Sequence, residues 1–447
     1  MSPTKTTLMA TTLMIGSLPL LAADWPNYRG PGHDGISKEK LVSTTWAAGG
    51  PRQLWKIPAS GGFSSLTVAG GRAFTTVSKS IDGANREVLL ALDAASGKEL
   101  WNAPLSVAKF DGGGNAGTKE NSGGDGPRST PTIDGDRVYV LDGRLVLACW
   151  EAASGKEVWR RDLIAEHAGR NITWQNAASP LIEGNLVFVA GGGEGQSLLA
   201  IDRNTGKTVW KGENDRMTHA TPVLATLHGE KQVIFFTQTG LVAVRPADGS
   251  VLWRQGFRYS TSTAASPVVA GDIVYCSAGY GVGAGAYRIS KDAAGFKSTE
   301  LWRAEGKLQN HWSTPVYRDG HLYGMFGFKE YGSCPLKCVE LSTGKEKWAQ
   351  PGFGPGNVTL VDGHLIALSD QGELVMVQAS PEAYRESARA DVLEGKCWST
   401  PTYSGGRIFA RSTKEAVCVE LSQGRAAVPA VDSANPSLAL RASAETR

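Results

Sequence analysis

A histidine, an arginine and two tryptophans stand at matching places in a repeated unit of this 447-residue chain, with a second histidine and a third tryptophan close beside them. Most units open on Ser-Thr-Pro or a close variant, and the residue three before the Pro position differs from copy to copy. In order these residues are Phe63, Arg128, Ala177, His219, Ala264, Trp312, Gly356 and Trp398. Asn176, Thr218, Thr263, His311 and Cys397 precede some of them, and Trp174, Gln175 and Asn310 lie slightly further out. If the units circle an axis, Arg128, Trp174, Gln175, Asn176, His219, Asn310, His311, Trp312 and Trp398 converge on one mouth. Indoles there would stack on a planar ligand, while the amides and the guanidinium would fix it by hydrogen bonds. The same residues would also serve as funnel packing with no dedicated ligand. For acid–base chemistry the candidates are His219, His311 and Arg128. No nucleophile accompanies them in the sequence, so the expectation is binding rather than catalysis, with no metal site.

The elements that must position these residues come from the repeat. The clearest copies are "STPTIDGDRVYVLDGRLVLACWEAASGKEVW" at 129–159 and "ASPLIEGNLVFVAGGGEGQSLLAIDRNTGKTVW" at 178–210. Others lie at 220–253 and 313–348, one with a longer middle loop at 265–302, and a first at about 63–101. Weaker ones span 355–393 and 398–423, making eight starts. Each holds short alternating strands joined by Gly, Asn and Asp turns, which is a meander. Trp101, Trp159, Trp210, Trp253, Trp302 and Trp348 recur 43 to 58 residues apart and read as inter-blade packing residues. The sequence therefore predicts an all-β fold, an eight-bladed β-propeller of four-stranded antiparallel blades. The eighth unit stops after three strands, and "RQLWKIP" at 52–58 has the missing Leu-Trp strand. An N-terminal strand completing the last blade would close the ring.

The remaining boundaries follow. Lys5, the apolar run Leu8 to Leu21 and the small residues Leu-Ala-Ala before Asp24 read as a signal peptide over 1–23, cleaved near Ala22 or Ala23. The expected location is periplasmic or secreted. Residues 24–51 form an N-terminal extension, 52–423 the propeller, and 424–447 an Ala- and Ser-rich tail. No stretch suits a transmembrane helix. The net charge of +3, without basic clusters, argues against nucleic acid. Nothing in the sequence calls for an oligomer, and a monomer is expected.

Six cysteines are present. Cys149, Cys338 and Cys418 occupy a repeated slot that holds Ala91, Ala200 and Ala243 elsewhere, which reads as a small buried core position. Cys334 and Cys397 fall in loops and are candidates for a disulfide. Two segments interrupt the repeat: a glycine-rich insertion at 103–126, placed to overhang the funnel or meet a partner, and 279–298, which enlarges the fifth unit.

The motifs "ASGKEVW", "NTGKTVW" and "STGKEKW" resemble the tryptophan-docking repeats of pyrroloquinoline quinone (PQQ) enzymes. They resemble equally the repeats of the BamB-type outer-membrane assembly propellers, and "DWPNYRGPGHDGIS" at 24–37 is similar to the start of many exported quinoprotein-like propellers. The first resemblance implies a PQQ dehydrogenase acting on alcohols or sugars, with a vicinal disulfide, a Glu-Asn-Asp set on calcium and an Asp base. The chain has no adjacent Cys pair, and its Asp93 and Asp202 lie at a repeated structural position. The second implies an envelope protein partner and a lipid-bearing Cys, where Asp24 stands instead. The reading that accommodates these departures is an exported, non-catalytic binding or scaffold propeller. It recognises a protein or glycan partner through its funnel-side loops and requires no cofactor. PQQ with calcium, and a hydrolase or lyase using the funnel His and Arg residues, are the alternatives.

Overall fold

The computed structural model describes residues 23–47, 49–107 and 126–421. The signal segment, most of the glycine-rich insertion and the tail lie outside the described residues. The strands group into eight antiparallel meanders. Blade 2 is typical, with strands Thr132–Asp134, Arg137–Leu141, Val146–Glu151 and Glu157–Asp162 in that order. First strands of successive blades touch one another around the ring, so the first strand is innermost. Blade 8 takes Thr402–Ser404, Arg407–Arg411 and Glu415–Glu420 from the end of the chain. Its fourth strand is Arg52–Pro58, paired antiparallel to Glu415–Glu420. The chain is an all-β, eight-bladed β-propeller of four-stranded blades, closed by an N-terminal strand as expected.

One cross-strand set recurs inside the blades. A small residue in the third strand sits between an aromatic of the second and the Trp of the fourth: Phe74, Ala91 and Trp101; Tyr139, Cys149 and Trp159; Phe188, Ala200 and Trp210. The two rings meet across the small side chain at centroid separations of 5.7, 6.0 and 6.0 Å. A larger side chain in between would hold the rings apart and lose that contact. This accounts for the Ala/Cys slot, which is on the third strand. Its thiols are buried and free.

Blades are joined by the same tryptophans. The Trp101 indole N–H donates to Ala152 O at 3.1 Å, Trp159 to Arg203 O at 2.8 Å and Trp210 to Pro246 O at 2.8 Å, each in the next blade. The indole face lies on the glycine of that blade's last hairpin. A Cβ on Gly206 would come within 2.8 Å of the Trp159 ring, and Gly206 has a φ of +70°. The "TGK" glycine is thus required twice, by backbone conformation and by close approach. Ring closure uses the same contact: Trp55, from the N-terminal strand, donates to Ala94 O of blade 1 at 3.0 Å and covers Gly97. Buried Arg411 adds a clamp, donating from blade 8 to Thr76 O at 2.7 Å and Gly61 O at 2.5 Å.

The Ser-Thr-Pro motif forms a second, inner seam. Thr400 N donates to Ser65 Oγ, Ser65 N to Thr130 Oγ1, Thr130 N to Ser179 Oγ and Ser179 N to Thr221 Oγ1, each at 2.9 Å. Each hydroxyl satisfies a buried amide of the neighbouring blade that no strand partner reaches.

Several expectations are corrected here. Residues 103–107 belong to the strand Glu99–Val107, so the insertion starts later. Residues 283–298 are not a loop: Gly283–Asp292 and Gly295–Glu305 form one long hairpin that packs against blade 4. Cys334 and Cys397 are not disulfide-bonded; both are buried free thiols and belong to separate core clusters. The N-terminal extension makes contacts with several blades. Trp25 bridges Val68 of blade 1, and Pro26 O accepts from Ile133 N of blade 2. Arg29 then donates to Thr314 O and Pro315 O beside blade 6 at 2.7 and 2.8 Å. Ile36–Ser37 pairs with blade 7, and Glu39 accepts from Gly405 N of blade 8. The segment crosses the end of the channel towards which the innermost strands run.

The docking contact yields a paired test. Gly184 and Gly206 both have positive φ in blade 3, but only Gly206 faces an indole; nothing lies within 4 Å of a Cβ on Gly184. Gly184→Ala is expected to cost about 1 kcal/mol. Gly206→Ala should cost about 1–3 kcal/mol more through overpacking. Chemical denaturation of the two variants measures the difference.

Candidate functional site

The divergent positions before the innermost strands meet at the opposite end of the channel from the N-terminal crossing. They line a cavity of about 160 Å³. Seven of the eight positions contribute; Gly356 does not. Of the sequence-derived candidates, Arg128, Trp174, His219, His311, Trp312 and Trp398 line it. Gln175, Asn176 and Asn310 do not. Asn176 caps its own loop, donating to Leu141 O and Ala178 O, and Asn310 donates to Met325 O and accepts from Tyr275 Oη. Their amides satisfy buried backbone at the strand ends, which a sequence offset cannot distinguish from facing the axis.

The lining side chains form a closed collar. Ring centroids step from Phe63 to Trp398 (4.7 Å), Trp312 (4.2 Å), His311 (4.6 Å), Tyr280 (5.1 Å), Trp174 (6.2 Å) and His219 (6.3 Å). Arg128 spans the gap between the ends. Its guanidinium carbon is 5.8 Å from the Phe63 ring, and its Nη1 donates to Trp174 O at 2.7 Å. Sequence reasoning missed Tyr28, Tyr280 and Lys329, which also line the cavity. Tyr28 arrives from the extension that crosses the far end. Tyr280 and Lys329 sit in loops between strands two and three, where the repeat gave no common position.

Charge and polarity around the collar are uneven. Arg128 and Lys329 line the cavity, and buried Lys396 holds its Nζ 4.6 Å from the Trp398 ring. No Asp or Glu among the described residues lines it. His219 is fully engaged: Ser262 Oγ donates to Nδ1 at 2.8 Å, and the Nε2 proton goes to Thr173 O at 3.0 Å. Burial pushes its pKa down to about 4 and that of His311 to about 3, so both are neutral at pH 7. Two buried polar atoms of the collar, His311 Nδ1 and Trp398 Nε1, have no hydrogen-bond partner. Such atoms cost about 1–3 kcal/mol each unless water or a ligand reaches them. Trp174, Gln175 and Tyr280 have φ of 65°, 62° and 55°, a strained conformation for bulky residues.

PQQ with calcium does not fit this lining. Calcium takes six to eight oxygen ligands, mostly carboxylate and carbonyl. The hydroxyls of Ser65, Ser179 and Thr221 already accept amide protons in the inner seam. No group of three or more His, Cys, Asp or Glu among the described residues could hold a metal ion.

The fold and site define a class: a repeat propeller with an aromatic, cationic cavity on its axis. The chain belongs to the PQQ-like β-propeller repeat family; the family model described as outer membrane protein assembly factor BamB matches residues 84–325. The outer membrane protein assembly factor BamB of Moranella endobia is 26% identical over 274 residues, 57% of this chain and 66% of that protein. Quinohemoprotein alcohol dehydrogenase ADH IIB of Pseudomonas putida is 33% identical over 128 residues, 28% of this chain and 17% of that protein. The chain spans less than two thirds of these relatives. The crystal structure of BamB from Moraxella catarrhalis aligns at a TM-score of 0.57 and 15% identity, over 84% of this chain and 98% of that one. Quinohemoprotein alcohol dehydrogenase from Comamonas testosteroni aligns at 0.60 and 13%, over 90% and 81%. At these identities the structural likeness speaks for fold alone.

Beside the cavity, buried Glu87 accepts from Gly143 N at 3.1 Å. Burial, with Asp142 nearby, raises its pKa to about 8, and burial raises Asp370 to about 7. A carboxyl raised on folding stabilises fully below its unfolded pKa, and that stability is lost as pH rises through the folded value. Stability should therefore fall between about pH 4.5 and 8, with Glu87 contributing at most about 1.4 kcal/mol per pH unit. Glu87→Gln should flatten that slope in denaturant titrations run at pH 5 and pH 8; an unchanged slope would show that Glu87 is ionised throughout.

Proposed function

We propose that this chain is a non-catalytic binding propeller that holds a ligand at the collar and meets a protein or glycan partner through the loops of the same face. The observation that carries this reading is the collar itself. Seven divergent positions turn inward to one cavity, with strained Trp174 and Tyr280 on its wall. Local strain is a cost that a purely structural channel has no reason to keep. Family membership supports an extracytoplasmic location. No helix among the described residues is long and apolar enough to cross a membrane. BamB relatives are named for outer-membrane assembly, and an envelope protein partner is the corresponding expectation for this chain.

The quinone reading is tested directly. Calorimetric titration with PQQ, with and without calcium, should give no saturable binding to the full chain. Micromolar binding at one site, lost in Trp312→Ala or Trp398→Ala, would overturn the non-catalytic reading. A thermal-shift panel of small ligands on the same three proteins should find compounds that stabilise only the unsubstituted chain.

A second reading has one observation in its favour. Ser262 Oγ, His219 and Thr173 O form a nucleophile, base and orienter in sequence, with a peptide carbonyl where hydrolases place a carboxylate. The depressed imidazole pKa makes the base weak. A fluorophosphonate probe should leave Ser262 unlabelled; labelling lost in His219→Gln would establish the hydrolytic alternative.

A further inference from the structure

We propose that the cavity receives the terminal residue of an anionic polysaccharide, a single uronate ring whose carboxylate lies towards Arg128 and Lys329. This rests on the reading of the collar as a binding site and names its ligand class. Three features of the cavity narrow the chemistry.

Size comes first. About 160 Å³ admits one six-membered ring. The far end of the channel is crossed by the N-terminal segment, whose Tyr28 reaches the lining. Entry is therefore from one mouth. A polymer can insert its end residue and must leave the remainder outside, against the rim loops.

The walls come second. Phe63, Trp398 and Trp312 make one continuous aromatic surface, with centroid steps of 4.7 and 4.2 Å. A pyranose presents a C–H face to such a surface and hydroxyls at its edge. The edge chemistry matters here. Ser179, Thr221 and Ser262 bring hydroxyl side chains to the lining, beside the Tyr280 phenol. Sugar hydroxyls both donate to and accept from such groups. An unsubstituted aromatic acid offers only its carboxylate.

Charge comes third. Arg128 and Lys329 line the cavity, and the described lining carries no Asp or Glu. Neutral sugar sites gain little from cations placed in this way, and cationic ligands would be repelled. A carboxylate on the ring gains charge-assisted hydrogen bonds, which are about twice as strong as neutral ones. The guanidinium is held for this by its bond to Trp174 O.

The test is calorimetry on the full chain with trigalacturonate, its neutral counterpart galactotriose, and benzoate. Trigalacturonate should bind one per chain, at least tenfold more tightly than galactotriose, and benzoate should not compete. Arg128→Gln should erase the preference for the acidic sugar. Lys329→Gln tests the same charge without touching the Arg128–Trp174 bond and should reduce the preference several-fold. Trp398→Ala removes the middle of the aromatic surface and should weaken both sugars. Equal binding of the two sugars overturns the charge assignment while leaving the cavity a binding site. Benzoate binding without sugar binding overturns the saccharide. If no probe binds, the proposal falls; the ligand panel on the Trp312→Ala and Trp398→Ala variants then decides separately whether the collar binds anything.

Discussion

The contact between an indole and the glycine of the next blade sets the geometry of the whole ring. Trp55, Trp101, Trp159, Trp210 and Trp302 each do two things at once. The indole N–H satisfies a carbonyl in the neighbouring blade, and the ring face covers a turn that only glycine can make at that distance. Trp348 makes only the first contact, to Ser380 O at 2.8 Å. A blade alone buries one face poorly; stacking blades makes a continuous core. Because Trp55 enters from the N-terminal strand and docks on blade 1, the first and last blades are joined as any other pair is. The ring therefore has no open sheet edge to protect where the chain ends meet.

Where the docking contact fails, another replaces it. The turning glycine of blade 5, Gly295, lies at the tip of a longer hairpin and meets no neighbour, so Trp253 donates instead to Gln232 Oε1 of its own blade at 2.6 Å. The inner seam is also weaker there, since Ser266 Oγ is buried without a partner. The long hairpin of blade 5 compensates by reaching back onto blade 4. His228 Nε2 donates to Ile289 O at 2.6 Å, and Ser298 Oγ to Gln255 Oε1 at 2.8 Å. The enlarged fifth unit thus has a structural role at the one junction without a docked indole among those that carry a Trp.

These constraints also explain what could be read in advance. The Trp, the Gly and the Ser-Thr-Pro recur because every blade must meet the next in the same way, so blade number and ring closure were visible in the chain. The convergence of Arg128, His219, Trp312 and Trp398 followed from counting back from a fixed strand. Trp25 and Arg29 could not be placed so. Their partners, Val68 O and Thr314 O, are backbone atoms contributed by distant blades, and backbone leaves no mark in sequence. Tyr280 and Lys329 come from loops of unequal length, where register is lost. Asn176 and Asn310 were drawn in by proximity, but their amides serve the strand ends behind the collar.

The cavity itself follows from an alternation of sizes. Eightfold construction fixes the backbone at the residue three before Pro but leaves its side chain free, so the channel is filled or emptied by eight independent choices. Phe63, Arg128, His219, Trp312 and Trp398 are large enough to reach one another around the axis. Ala177 and Ala264, which also line the space, hold it open on the other sides. Eight large residues would close the channel, as packed barrels are closed, and eight small ones would leave a wet hole without walls. The mixture gives aromatic walls, the Arg128 guanidinium and a volume near that of one ring. Substituting Ala264 by Leu would leave every docking contact in place and fill the space. The scaffold and the pocket are therefore separable in this chain: the positions that hold the blades together are repeated, and those that shape the cavity are the ones free to differ.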